Sequence, residues 1–234
     1  MRSQHFRSWI FILLVFPPIL SLFVPSTPPA SAAGFTASWP YKAELLHSSQ
    51  AVVVTAKSIT SRAGSLAVYE KRDGKWFPAL TGIPVTLGRS GIAKIREGDG
   101  RTPSGVYRLG SAFGTAAPPV PLKLDYTTTT RQDYWIDDPA SEQYNEWVSY
   151  AGNPDLRWAS YERLHHPLYK YAIIVEYNNS PAIPGKGSAI FLHVWRGADL
   201  PTAGCIAMSE ANLLKLMKRL DPALSPAIAI GLAE

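Results

Sequence analysis

The sequence predicts a single, mostly β domain with one or two helices. Three observations carry that prediction. Short runs rich in β-branched and aromatic residues recur along the chain, separated by Gly, Pro, Asn and Asp. An Asp-Gly dipeptide joins two of these runs at hairpin spacing. A helical apolar stripe is clear only near the C-terminal end, and strands do not alternate with helices as a parallel, doubly wound sheet would require. With 46% hydrophobic and 18% charged residues over 234 positions, the chain can bury a full core.

The first residues stand apart. Arg2 and Arg7 precede an apolar run from Trp9 to Val24, and Ala30-Ser31-Ala32 follows, which is the charge, length and small-residue exit of a signal peptide. Pro17 and Pro18 interrupt the run, which falls short of the roughly 20 residues that span a bilayer, so cleavage is favoured over anchoring. The expected organisation is a signal peptide at 1–32, a linker at 33–48 and one domain at 49–234. Removing the two arginines lowers the formal net charge of +5 by two. Such a mildly basic, exported protein suits an anionic cell wall or periplasm, and no Lys/Arg stripe marks a nucleic-acid partner.

In order along the chain, Gln50 to Thr55 and Ser65 to Glu70 read as strands, with Gly64 as the turn between them. Arg72-Asp73-Gly74-Lys75 then closes a hairpin onto Trp76 to Leu80. The glycine-dense stretch from Val85 to Tyr107 lacks Gly-Lys-Ser/Thr and a following helix, so it is a turn-rich crossing into a strand at Val106 rather than a phosphate cradle. Residues 111–133, with three prolines and four consecutive threonines, read as surface loop. Asp137 and Asp138 are neighbours on an extended chain and point to opposite faces, which excludes them as a glycosidase pair and leaves a solvated turn before Pro139. Trp135, Trp147, Tyr150 and Trp158 read as core or groove lining.

A short helix is expected from Ala159 to Leu164. His165-His166 has no metal-ligand spacing and reads as a loop feature. Lys170 to Tyr177 and Ser188 to Val194 are strands. Ser209 caps a helix whose stripe is Leu213, Met217 and Leu220, Met208 and Leu213 fit a hydrophobic staple, and Asp221-Pro222 ends it. Ile228 to Ile230 adds a last strand.

The chemistry concentrates at the lone cysteine. One cysteine in an exported chain forms no internal disulfide, so Cys205 is either a small buried hydrophobe or a nucleophile. An unassisted thiol is only about 3% thiolate at pH 7, and His193, on the strand before the Gly-Cys turn, is the nearby imidazole that can assist it. Alternation places Ala189, Phe191 and His193 on one strand face. Gly204 permits close backbone approach, and the amides of Gly204 and Cys205 are candidates for an oxyanion hole. The group that orients His193 stays open among Asp199, Arg196 and a backbone carbonyl.

His193 followed by Thr202-Ala203-Gly204-Cys205-Ile206, with Gly187 to Leu192 leading into the histidine, resembles the L,D-transpeptidase (YkuD-type) catalytic domain. Glu97-Gly98-Asp99-Gly100-Arg101-Thr102-Pro103-Ser104-Gly105 resembles one branch of that family, as do Tyr134 to Pro139 and Tyr144 to Val148. Two departures stand out: Ala203 and Ala207 occupy positions where many members carry a histidine before the cysteine and an Asn or Arg after it. The resemblance implies an L,D-transpeptidase-like mixed β-sandwich and a part in cell-wall building and cell shape. It further implies a cysteine-dependent L,D-transpeptidase or L,D-carboxypeptidase acting on peptidoglycan stem peptides through a thioester, with no metal or organic cofactor and no stable protein partner. Thr202 and Arg196 are the accompanying candidates for substrate contact. Two alternatives stay open: an exported cysteine peptidase of wall peptides, and a wall-binding module with an inert thiol.

Overall fold

The computed structural model describes residues 47–233. The expected signal peptide and all but the end of the expected linker lie outside the described residues. Among the described residues there are twelve strands and one α-helix, and no helix is long and apolar enough to cross a membrane.

The strands are β1 (Gln50–Ala56), β2 (Ala63–Arg72), β3 (Lys75–Thr86), β4 (Gly105–Gly114), β5 (Tyr126–Thr128), β6 (Asp133–Ile136), β7 (Trp147–Ser149), β8 (Tyr161–Arg163), β9 (Ala172–Val175), β10 (Phe191–Val194), β11 (Ile206–Met208) and β12 (Ala227–Leu232); α1 spans Glu210–Arg219. Nine strands form one sheet in the order β12-β1-β2-β3-β11-β10-β9-β4-β5, and β12 also pairs with β4, so the sheet curls back on itself. The other three make a small sheet, β7-β6-β8. The result is the mostly β, single-domain architecture expected from the sequence.

β1 and β12 pair in parallel and are buried on both faces, which explains their unbroken apolar runs. Val52, Val54, Ile228 and Ile230 enter the main core, while Ala51, Val53, Ala227 and Ala229 pack on the other face beneath Trp76 and Tyr69. The β2–β3 hairpin turns at Asp73 and Gly74, both with positive φ, and Arg72 pairs with Lys75 as the Asp-Gly signal predicts. α1 begins at Ser209, whose hydroxyl accepts from the Asn212 amide at 3.3 Å. It buries Leu213, Leu216, Met217 and Leu220 in the main core, and Lys218 and Arg219 complement the dipole of its last turn.

Several expectations are corrected. Gly64 lies inside β2, opposite Ala56, and the turn is at 57–62. The glycine is needed there for proximity, since a Cβ would come 2.5 Å from the Thr55 carbonyl oxygen. Residues 111–114 complete β4, and Phe113 is fully buried. β5 pairs in parallel with that end of β4 inside the expected loop. The expected helix at 159–164 is instead β8, paired antiparallel with β6, where Tyr161 meets Tyr134 edge to face at 5.2 Å. A three-residue strand is too short to declare a period, so pairing with a distant segment decided its conformation. Asp138 is buried and accepts from the Ala140 and Ala159 amides, each at 2.9 Å, so it is a fixed turn acceptor rather than a solvated residue.

A second core cluster joins the two sheets under the site. In it Phe191 is wholly buried and meets Phe113, Trp135 and Tyr169 edge to face at 5.2, 5.1 and 5.5 Å. Phe191→Ala should cost about 3–5 kcal/mol, read as a fall in the denaturant midpoint at unchanged slope. A cost under about 1 kcal/mol would show that the cluster collapses to fill the gap.

Candidate active site

β10 and β11 form a parallel pair in which Leu192, His193 and Val194 stand opposite Ile206, Ala207 and Met208. Residues opposite each other share a sheet face. Cys205 comes two positions before Ala207, so it belongs to the face of His193, about 7 Å along the strand direction. Both side chains line one cavity of about 210 Å³, with Tyr169, Trp195 and Leu200 among its walls. Ala207 lines it too, and its single methyl beside His193 leaves that space open.

The histidine is oriented by its own strand. Its Nδ1–H donates to the Val194 carbonyl at 2.8 Å, which leaves Nε2 as the free base. A backbone carbonyl therefore takes the orienting role, and Asp199 and Arg196 are exposed loop residues. The Arg196 guanidinium donates to the Pro201 carbonyl at 3.1 Å while lining the same cavity.

Cys205 is buried. Its thiol donates to the Ala189 carbonyl at 3.3 Å, and Sγ accepts from the Phe191 amide at 3.4 Å. Burial pushes the thiol up to about 12, with the Glu162 carboxyl adding to the effect. Burial also pulls His193 down to about 4. The imidazole was expected to raise the thiolate fraction of the resting cysteine; the structure instead holds both groups neutral.

Gly204 has φ +159°, and a Cβ on it would come 3.0 Å from the Arg101 carbonyl oxygen. Its N–H donates to the Thr202 hydroxyl at 3.1 Å, and that hydroxyl in turn donates to the Cys205 carbonyl at 2.6 Å. This changes two expectations: the Gly204 amide is turned into its own loop, and Thr202 shapes the turn while also lining the cavity.

Cys205 also lines a second cavity of about 150 Å³, with Lys94, Glu97, Asp137 and Glu162. The Glu97 to Gly105 segment is thus both a turn and a wall. Asp99 builds the turn by accepting from the Ile95, Arg96 and Arg101 amides and from Lys94. Burial, with the nearby charges of Asp137 and Glu97, pushes Glu162 up to about 7, and the Tyr169 hydroxyl donates to it. Glu162 and Tyr169 carry no motif of their own in the sequence. The histidine pair stays in its loop: His165 Nδ1 bonds the Thr129 carbonyl, and His166 accepts from the Leu168 amide.

The opposed shifts of His193 and Glu162 give a test by stability. As pH falls from 6.5 toward 4, an unfolded His193 takes up a proton that the native ring refuses, so stability falls with acid. As pH rises from 4.5 toward 7, an unfolded Glu162 sheds a proton that the native carboxyl keeps, so stability falls with base. Each effect is about 3 kcal/mol, and between pH 4.5 and 6.5 they oppose. Glu162→Gln should therefore tilt the urea midpoint downward on acidification relative to wild type, and His193→Gln should tilt it the other way. Parallel slopes in the two variants would refute the assignment.

A family model described as the L,D-transpeptidase catalytic domain matches residues 57–228. Among solved structures, the helical cell shape determining protein Pgp2 from Campylobacter jejuni is similar at 19% identity and a TM-score of 0.41, over 79% of this chain and 48% of that one. The chain thus spans about half the length of that relative. No curated protein matches it.

Proposed function

The chain belongs to the L,D-transpeptidase catalytic domain (YkuD) family, and on that premise we propose that it is a cysteine acyltransferase of peptidoglycan stem peptides. The observation that carries this reading is the placement of His193 and Cys205 on one face of the β10–β11 pair, lining one cavity. In the proposed reaction Cys205 Sγ attacks the carbonyl at the L-centre of a diamino acid while Nε2 of His193 takes the thiol proton. The Cys205 amide faces the developing oxyanion. The tetrahedral species collapses by breaking the peptide bond, and His193 passes the proton to the nitrogen of the departing D-alanine. The stem is left as a thioester. An acceptor amine then gives a cross-link, or water gives a trimmed stem. The apolar run after Arg2 and Arg7 supports export to the wall or periplasm.

Purified tetrapeptide muropeptides, incubated with the protein and resolved by mass, test the reading. The expected products are free D-alanine, an acyl mass on Cys205, and either cross-linked or trimmed stems. Cleavage at any other peptide bond would favour a peptidase, and the absence of both acyl mass and product would favour a binding module.

A further inference from the structure

The small sheet leaves the outer edge of β8 open. β6 is the middle strand, and its residues bond to the two sides in alternation. The Ile136 amide donates to the Glu146 carbonyl on the β7 side at 2.9 Å, and the Asp133 carbonyl accepts from the Leu164 amide on the β8 side at 3.0 Å. Trp135, opposite Glu162, therefore bonds to β8 as Asp133 does. Along β8 the same alternation turns the N–H and C=O of Glu162 toward β6, and those of Tyr161 and Arg163 away from it. Among the described residues β8 pairs with β6 alone, and no backbone bond from the surrounding loops engages Tyr161 or Arg163.

An open cavity of about 570 Å³ follows this edge. Tyr161, Glu162 and Arg163 all line it, although consecutive strand residues point to opposite faces, so the space meets the strand from its side. Its other wall is the turn at Pro167–Tyr169. Glu162, Leu168 and Tyr169 also line the cavity of His193 and Cys205, so the two spaces adjoin. Of the two cavities that reach Cys205, this is the one lined by His193. An amine that attacks a thioester must lose a proton, and His193 is the proposed base, so the attacking chain enters from the His193 side.

We propose that the outer edge of β8 holds the acceptor stem as an added strand, its amide groups bonded to the N–H and C=O of Tyr161 and Arg163. This rests on the reaction proposed above and adds how the second substrate is recognised. The two outward-facing residues are about 7 Å apart, the spacing of alternate residues in an extended partner. Such an edge reads amide groups rather than side chains. In the transfer the acceptor nitrogen bonds to the thioester carbon, the carbon–sulfur bond breaks, and His193 carries the proton from nitrogen to the departing sulfur.

Proline at position 163 tests the edge, because it removes an outward N–H and leaves the ladder to β6 intact. Arg163→Ala, which loses the same side chain and keeps the N–H, is the control. With the full chain, a tetrapeptide donor and a tripeptide acceptor, Arg163→Pro should give a ratio of cross-linked to hydrolysed product about fivefold or more below that of Arg163→Ala, while acylation of Cys205 stays within twofold. Equal ratios in the two folded variants would overturn the edge and leave the reaction intact. Trimmed stems as the sole product at saturating acceptor would do the same, as would an acylation defect as large as the fall in ratio, which would place the donor there. No acylation of wild type would remove the reaction instead. Should Arg163→Pro fail to fold, tripeptides N-methylated at each backbone amide in turn decide on wild type: one of them should be a poorer acceptor by about fivefold or more, and full transfer to all of them would overturn the edge.

Discussion

Cys205→Ser should yield no acyl-enzyme and release D-alanine at least about 10⁴-fold more slowly than wild type. The substitution keeps the shape of the side chain, and a hydroxyl can replace both thiol contacts, donating to the Ala189 carbonyl and accepting from the Phe191 amide. The fold should therefore survive. Chemistry should not, because a hydroxyl is far harder to deprotonate than a thiol and its partner is a weak base: burial holds His193 near 4. Intact mass after incubation with a tetrapeptide donor, or with a carbapenem, reads the result directly. An adduct on the serine variant equal to that on wild type would remove Cys205 as the nucleophile. Alkylation by a thiol reagent is a poorer discriminator, since burial of the thiol predicts slow labelling whether or not the cysteine is catalytic.

His193→Gln should lower the rate of acylation by about 10²–10⁴-fold, the range for loss of a positioned proton acceptor. The glutamine amide can still donate to the Val194 carbonyl, so orientation is retained while the base is lost. The pH profile separates the two roles. In wild type the rate should rise as pH increases through about 4, where the imidazole gives up its proton, and stay level through neutrality. Below that value both ring nitrogens carry protons and neither can take one from sulfur. The variant should lack this limb. If D-alanine release by the variant shows the same acid limb as wild type, a different group accepts the thiol proton.

Local signals made much of the fold legible. The Asp73-Gly74 hairpin, the valine run of β1 and the Ser209-capped helix each state their conformation within a few residues, through positive φ, two-sided burial and a satisfied helix end. The same holds for the alternation that places His193 with Phe191. It fails at β8, β5 and the end of β4, where short segments take their conformation from distant partners: Tyr161 from Ile136, Tyr126 from Ala112. Asp137 was visible only as half of an adjacent pair, and its neighbour Asp138 proves to be a turn acceptor. Glu162 was invisible because a residue on a misassigned helix has no predictable facing.

The sequence by itself singled out the proposed nucleophile and its proposed base: one cysteine after a glycine and one histidine on the preceding strand are chemically scarce, and scarcity can be read in one dimension. It also determined the mostly β class, because hydrophobic period is a local property. Only the tertiary structure decided the protonation of the pair, the Val194 carbonyl as orienter, the turning of the Gly204 amide into its loop, and the lining of one cavity by Glu97, Asp137, Glu162 and the thiol. Those depend on burial and on contacts between residues remote along the chain. Desolvation and proximity are properties of the packed molecule rather than of any stretch of its sequence.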